Sequence, residues 1–335
     1  MDFEFDSEQL ALQDLARDVF EKESSPTRLR DLWEGAPRDP AVWKTMAEVG
    51  LLGLTVPEEY GGSGRDEIDL AVVLEEAGRA ALPEPLLETV AVAAPLLSEA
   101  GLDEQKQRWL PAIAAGDAVA TVQLEASPFA IDADIADVVI VERERELHAV
   151  PKGFAFEPVE SEDRARRLFT IDAKTSPETR TNGDPPDTLA RSATAAAAFL
   201  NGIALRLLDM SVTHVSTRQQ FGRPVGSFQA VKHKLATVHV LVDSSRSATW
   251  YAAYAIARKL PDRHRAASVA KAYASDAAAV AGTETLQVHG GIGFTWEHDL
   301  HFWLKRGKAL EQAYGPAAEH RRLLGDHLFE GDSGG

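Results

Sequence analysis

From Asp184 to Thr285 the chain keeps a helix-forming texture with only two interruptions, "FGRPVG" at Phe221–Gly226 and "LPD" at Leu260–Asp262. Phe199, Ile203, Leu207 and Met210 mark one face of the first stretch. Phe228, Val231, Leu235, Val238 and Val242 mark a stripe on the second, and an alanine-rich third stretch runs from about Asp262 to Thr285. Long helices joined by such short loops bury their stripes against one another, which points to an antiparallel bundle. Asp187 or Thr188 is placed to cap the first helix, and Pro261 ends the second.

The first third is also helical in pattern. Ser7 stands as an N-cap before Leu10, Leu12, Leu15, Ala16 and Val19. "DPAVWKTMAEVGLLGL" is a second amphipathic helix closed by Gly50 or Gly53, and "VPEEYGGSGRD" is a loop. "EIDLAVVLEEAGRAAL", "PEPLLETVAVAAPLLSEAG" and "LDEQKQRWLPAIAAG" complete this unit. Then "AVATVQLEA", "DVVIVERERELHAV" and "RRLFTIDAK" bring short, β-branched, partly alternating runs between Pro, Gly and Asp, which are strand signals. The expected organisation is a helical domain over 1–116, a small β-domain over 117–183, a helical bundle over 184–330 and a loose tail at 331–335.

Composition narrows the chemistry. The 335 residues include no cysteine, which excludes disulfides, thiolate nucleophiles and Cys-ligated metal or iron–sulfur centres. A formal charge of −17 disfavours nucleic acid and anionic membranes. No apolar run free of charges is long enough to span a bilayer. The acidic opening "MDFEFDSEQL" lacks a secretory n-region, so the cytoplasm is the expected location. "GGSGR" breaks the GxSxG pattern at Arg65, and "GGIGFTW" is not a GxGxxG following a strand. His298, Asp299 and His301 suggest a metal only loosely, with no third ligand in view, so no metal is expected.

Two segments carry more information. In "STRQQFGRPVGSFQ", Arg218 precedes a helix–helix elbow, where a guanidinium either forks onto a phosphate or pairs with a helix-end carboxylate. In "QVHGGIGFTW", Gly290, Gly291 and Gly293 sit between helical stretches, although glycine costs roughly 0.5–1 kcal/mol inside regular structure. Basic residues gather at Arg218, Arg223, Lys232 and Lys234, and again at Lys305, Arg306 and Lys308. The ordinary reading of such runs is a solvated helix face.

The chain resembles the acyl-CoA dehydrogenase family along nearly its whole length. The similar segments are "MDFEFDSEQLALQDLARDVFEKE", "MAEVGLLGLTVPEEYGGSG", "DEQKQRWLPAIAAGD", "NGIALRLLDMSVTHVSTRQQFGRPVGSFQAVKHKLA" and "QVHGGIGFTWEHDLHFWLKR", in the family's order. The resemblance implies a mainly α fold: an N-terminal helical domain, a middle β-domain, here shortened, and a C-terminal four-helix bundle. It implies FAD and an acyl-CoA thioester, with electron-transfer flavoprotein as acceptor. In the family, one subunit grips the ADP moiety of its neighbour's FAD. Arg218, Gln229, Gln287, Gly290 and Gly291 match the gripping positions, with Phe221 packing nearby.

Two departures stand out. The family's Thr-Glu-Pro…Gly-Ser segment, which lies against the flavin ring, is replaced by "TVQLEASPFAIDADIADVV" from Thr121. The carboxylate that removes the substrate α-proton is also missing. Tyr314-Gly315-Pro316 stands at the family's Glu-Gly-Thr, and the alternative position on the first bundle helix holds Ser192, flanked by Arg191. Tyrosine, with a reference pKa near 10, is a poor base at neutral pH. Glu311 is the nearest stand-in. This pattern resembles the short subunits of heteromeric actinobacterial, steroid-catabolism acyl-CoA dehydrogenases, which implies a full-length partner in an α2β2 complex. A self-sufficient homo-oligomer with a relocated base, and a non-catalytic acyl-CoA-binding or scaffold protein, stand as alternatives.

Overall fold

The computed structural model describes residues 5–330, with side chains to 326; the expected tail at 331–335 lies outside the described residues. The first helical unit comprises α1 (Ser7–Glu23), α2 (Pro26–Trp33), α3 (Pro40–Glu48), α4 (Glu67–Arg79), a π-helical turn at Leu87–Ala93 leading into α5 (Ala94–Ala100), and α6 (Asp103–Ala114). Asp6, not Ser7, caps α1. Its carboxylate accepts from the Glu8 and Gln9 amides while Gln9 returns a bond to the Asp6 amide, a reciprocal box that a serine one residue later cannot make.

The β-region forms two three-stranded sheets. One has the order β1 (Ala120–Gln123), β3 (Val138–Arg143), β4 (Glu146–Pro151), with β1 parallel to β3. The other has the order β2 (Ala130–Ile131), β6 (Leu168–Asp172), β5 (Ala155–Val159). "DVVIVERERELHAV" is a hairpin rather than one strand. It turns at Glu144-Arg145, whose φ values of +51° and +64° are those of a tight two-residue turn. A small core of Val139, Val141, Val150, Phe154, Phe169 and Ile171 holds the sheets together.

The C-terminal part is built from α7 (Pro185–Thr217), a two-stranded elbow of β7 (Gln219–Gln220) and β8 (Arg223–Pro224), α8 (Gln229–Ala257), α9 (Arg263–His289), α10 (Leu300–Gln312) and α11 (Ala317–Glu330). Asp184 caps α7, earlier than Asp187 or Thr188, because Pro185 supplies a preset φ at the first helical position. By length and composition α7 could cross a membrane, but 72% of its most apolar window is buried inside the fold, as befits a core helix. A Cβ on Gly202 would lie 1.9 Å from the Glu75 carbonyl, and one on Gly78 would lie 2.0 Å from the Phe199 carbonyl. Only glycines permit this α4–α7 crossing, which joins the first helices to the bundle. Inside the bundle, Ser245 donates to Asn201 Oδ1 (2.6 Å) and Asn201 donates to Thr249 (3.0 Å), so the buried polar groups are satisfied between α7 and α8.

Candidate functional site

The elbow and the glycine segment leave the same end of the bundle. Near this end Ser211 Oγ donates to Thr285 Oγ1 at 3.0 Å, and the His214 and His289 rings stack with centroids 4.3 Å apart. α7 and α9 therefore run side by side to their C-termini. Arg218 follows His214 by one turn and is the C-cap of α7; Gly290 follows His289 and is the C-cap of α9. Arg218, Phe221, Gln229, Gln287, Gly290 and Gly291 are all exposed there.

Their surroundings suit a ligand that is anionic at one point and flat at another. Among the described residues, the Arg218 side chain makes no ion pair or hydrogen bond within the chain. Phe221 stands at the elbow tip with φ +52° and 91% of its surface exposed, edge-on to Phe228. Gly290 has φ +62° and ψ −143°, a conformation that essentially only glycine adopts. A Cβ on Gly291 would meet nothing within 4 Å, so no packing inside this chain explains that glycine. A free guanidinium, an exposed aromatic ring, two amides and bare backbone fit the ADP moiety of a dinucleotide.

The surroundings of Tyr314, which the resemblance sets at the family's base position, are closely packed. Tyr314 is 1% exposed, has φ +57°, and donates its hydroxyl to Glu88 Oε1 at 2.9 Å. Glu88 lies on the π-helical turn, and the same oxygen accepts from Arg166 Nη2 at 3.2 Å. Arg306 enters from α10, pairs with Asp163 and donates to the Leu82 carbonyl. Beside them Glu88, Arg166 and Arg306, with Ile131, Phe199 and Leu310, line a cavity of only about 20 Å³, and Tyr314 itself is packed outside its lining. Burial and the neighbouring Glu88 carboxylate push the Tyr314 pKa well above its ordinary value, so its hydroxyl stays protonated and acts as a donor.

No other candidate replaces the base. Glu311 does not line that cavity, and its carboxylate is held by Lys308 at 2.8 and 3.1 Å. Ser192 is buried and bonded back to the Thr188 carbonyl. Arg191 faces the first helical unit, pairing with Glu67 and Glu99. Glu88 is a buried carboxylate in the right region, which sequence reasoning missed, and Tyr314 and Arg166 already occupy it. The reading of Lys305, Arg306 and Lys308 as a solvated face is corrected at Arg306, which is 4% exposed. His298, Asp299 and His301 are engaged within the chain: Asp299 pairs with Arg30, and His301 bonds to the His298 carbonyl.

At the segment that the family lays against the flavin ring, backbone donors are spent internally. Leu124 and Ser127 exchange amide–carbonyl bonds, and the Glu125 amide donates to Glu142 Oε2. The adjoining cleft, about 640 Å³, is lined mainly by apolar groups such as Leu124, Pro186, Leu189 and Leu323. This segment does not fit the polar edge of a flavin.

The turn carrying Tyr314 is clamped from behind. His320 Nε2 donates to the Tyr314 carbonyl at 2.9 Å. Buried Lys271 donates to the carbonyls of Glu311 (3.1 Å) and Gly315 (3.0 Å) and to Ser275 Oγ (3.3 Å). Burial outweighs the attraction of Glu311 and lowers the Lys271 pKa from 10.5 to about 7. Between those values the unfolded chain binds a proton that the folded chain does not, so Lys271 makes stability rise with pH across that window. Below it both states are protonated and the contribution is flat. Urea unfolding from pH 7 to 10 is expected to show a shallower rise for Lys271→Met than for the wild type. Identical slopes would show that Lys271 does not titrate there.

A helical unit, a small β-region and a helical bundle, in that order, define a flavoprotein dehydrogenase architecture. Residues 6–117 match the model of the acyl-CoA dehydrogenase N-terminal domain, and residues 186–329 match that of the C-terminal domain. The chain belongs to the acyl-CoA dehydrogenase family, whose members are FAD-dependent oxidoreductases. It is 36% identical to acyl-CoA dehydrogenase IpdE2 of Mycolicibacterium smegmatis, over 96% of this chain and 99% of that protein. Among solved structures, it superposes on a variant of the Tcur3481-Tcur3483 steroid ACAD with TM-score 0.87 and 27% identity, covering 97% of this chain and 99% of that one. It superposes on the ChsE4-ChsE5 complex from Mycobacterium tuberculosis with TM-score 0.89 and 25% identity, covering 98% and 99%.

Proposed function

We propose that this chain is the gripping, non-catalytic subunit of a heteromeric acyl-CoA dehydrogenase. A full-length partner supplies the flavin-ring pocket and the carboxylate base, and the two chains assemble as α2β2. The observation that carries this reading is the pairing of an open, unpartnered Arg218 and glycine backbone with a Tyr314 that is buried and bonded to Glu88 where the resemblance puts the family's base. FAD, when bound, supplies the acceptor for the substrate's β-hydride. This chain's Arg218, Gln229, Gln287, Gly290 and Gly291 hold its ADP end, with Phe221 beside them. The α-proton leaves to the partner's carboxylate, because among the described residues the two carboxylates lining this chain's cavity are engaged, Glu84 by Arg28 and Glu88 by Arg166 and Tyr314. Likeness to a steroid ACAD and to the ChsE4-ChsE5 complex supports a heteromer and a bulky steroid-derived thioester. The proposed setting is cytoplasmic, with electron-transfer flavoprotein as acceptor.

Flavin stoichiometry tests the proposal. The chain expressed alone is expected to be colourless and prone to aggregation, since Phe221, Phe294 and Trp296 leave 91%, 74% and 62% of their surfaces exposed at the grip end. Co-expressed with a full-length homologue, it is expected to give a yellow complex with about one FAD per heterodimer. Stoichiometric FAD on the isolated chain supports the self-sufficient reading instead. A stable heterocomplex without FAD supports the scaffold reading.

A further inference from the structure

The two halves of the grip come from helices separated by the whole of α8, and the relative placement of Arg218 and the Gly290-Gly291 backbone decides whether both can touch one dinucleotide. Beyond the elbow and the glycine segment the chain offers little to fix that spacing. Gly290 and Gly291 have open space where a Cβ would be, and Arg218 is exposed. The last firm link between the two helix ends is the stacked pair His214 and His289, with ring planes 28° apart. His289 is itself held, its Nδ1–H donating to the Thr285 carbonyl at 2.8 Å, and His298 packs edge-on against it at 5.0 Å from the segment leading to α10.

We propose that the His214–His289 stack is a bracket that sets the distance between the guanidinium and the glycine backbone, making His214 a positioning residue for the FAD grip. The inference rests on the gripping role proposed above. Each histidine sits next to the group it places. The Arg218 amide bonds to the His214 carbonyl at 2.9 Å, and Gly290 directly follows His289. An aromatic pair suits this task, because it fixes two rings at van der Waals separation with no ion-pair partner to be exchanged for the diphosphate. The groups facing the pair are His298 and Arg218, both acting to keep it neutral. Burial, the larger cause, lowers the pKa of His289 to about 4 and also lowers that of His214. The rings are therefore uncharged at neutral pH and do not repel each other.

The test measures FAD affinity of the co-expressed heterocomplex by flavin fluorescence titration after stripping, for His214→Ala, His214→Phe and Arg218→Ala. His214→Ala is expected to weaken FAD binding about three- to tenfold, the range of a lost aromatic contact. His214→Phe keeps a stacking ring without the imidazole nitrogens and is expected to stay within about twofold of wild type. Helix content by circular dichroism should be the same in all three. If Phe is as weak as Ala, or if Ala binds like wild type, the bracket is overturned while the grip stands. If Arg218→Ala binds FAD like wild type, the grip itself is overturned, and the bracket with it.

Discussion

Arg218→Ala is expected to cut FAD retention by the assembled complex roughly ten- to hundredfold. Hydrogen bonds to charged groups contribute on the order of 1.5–3 kcal/mol, and the Arg218 guanidinium has no competing partner within the described chain. Arg218→Lys should recover only part of this, since an ammonium cannot fork onto two phosphate oxygens. Gly291→Val is the companion variant. A Cβ there meets nothing within 4 Å, so the chain should fold and assemble normally, and any loss of FAD reports the ligand's own approach to the backbone. Gly290 is a poorer probe, because its φ of +62° would strain any replacement. Flavin absorbance after exhaustive dialysis reads all of these. Unchanged flavin content in Arg218→Ala would falsify the assignment of the grip, and unchanged content in Gly291→Val would remove the glycine backbone from it.

The two segments proposed as the grip could be singled out in the sequence because each is a contiguous string, although their role came from the family resemblance. An arginine before a Gly-Pro elbow and a glycine run after a helix stay recognisable without knowledge of the fold. The bundle was legible for the same reason, since its stripes repeat over many turns. What escaped was built from single residues on distant elements. Glu88 meets Arg166 across 78 residues and Tyr314 across 226. The one local sign was a lone carboxylate within "LLETVAVAAPLL", where a charge amid apolar residues needs a buried partner. Arg306 looked like part of a surface run because its buried partner, Asp163, comes from the β-region. The hairpin at Glu144-Arg145 lacked the Gly or Asn that normally marks such a turn. Strands as short as Ala130–Ile131 have no periodicity to read.

The filled pocket makes a stability prediction as large as the binding one. Tyr314→Ala empties a fully buried aromatic site and leaves Glu88 with Arg166 alone, so it is expected to cost about 3–5 kcal/mol of stability. Tyr314→Phe keeps the volume and loses one hydrogen bond to a carboxylate, for which about 1–3 kcal/mol is expected. Their effects on turnover should follow a different order. In the heterocomplex, Tyr314→Phe should leave steady-state reduction of an artificial electron acceptor within about threefold of wild type, because its hydroxyl transfers no proton. Glu311→Gln should do the same, since Glu311 pairs with Lys308 and does not line the cavity. Replacing the partner's base should lower turnover by about 10²–10⁴-fold, the usual worth of general-base catalysis. A hundredfold loss in Glu311→Gln with FAD still bound would mean that this chain carries the base. The same loss in Tyr314→Phe would mean that Tyr314 is part of a working site rather than the residue that fills a disused one.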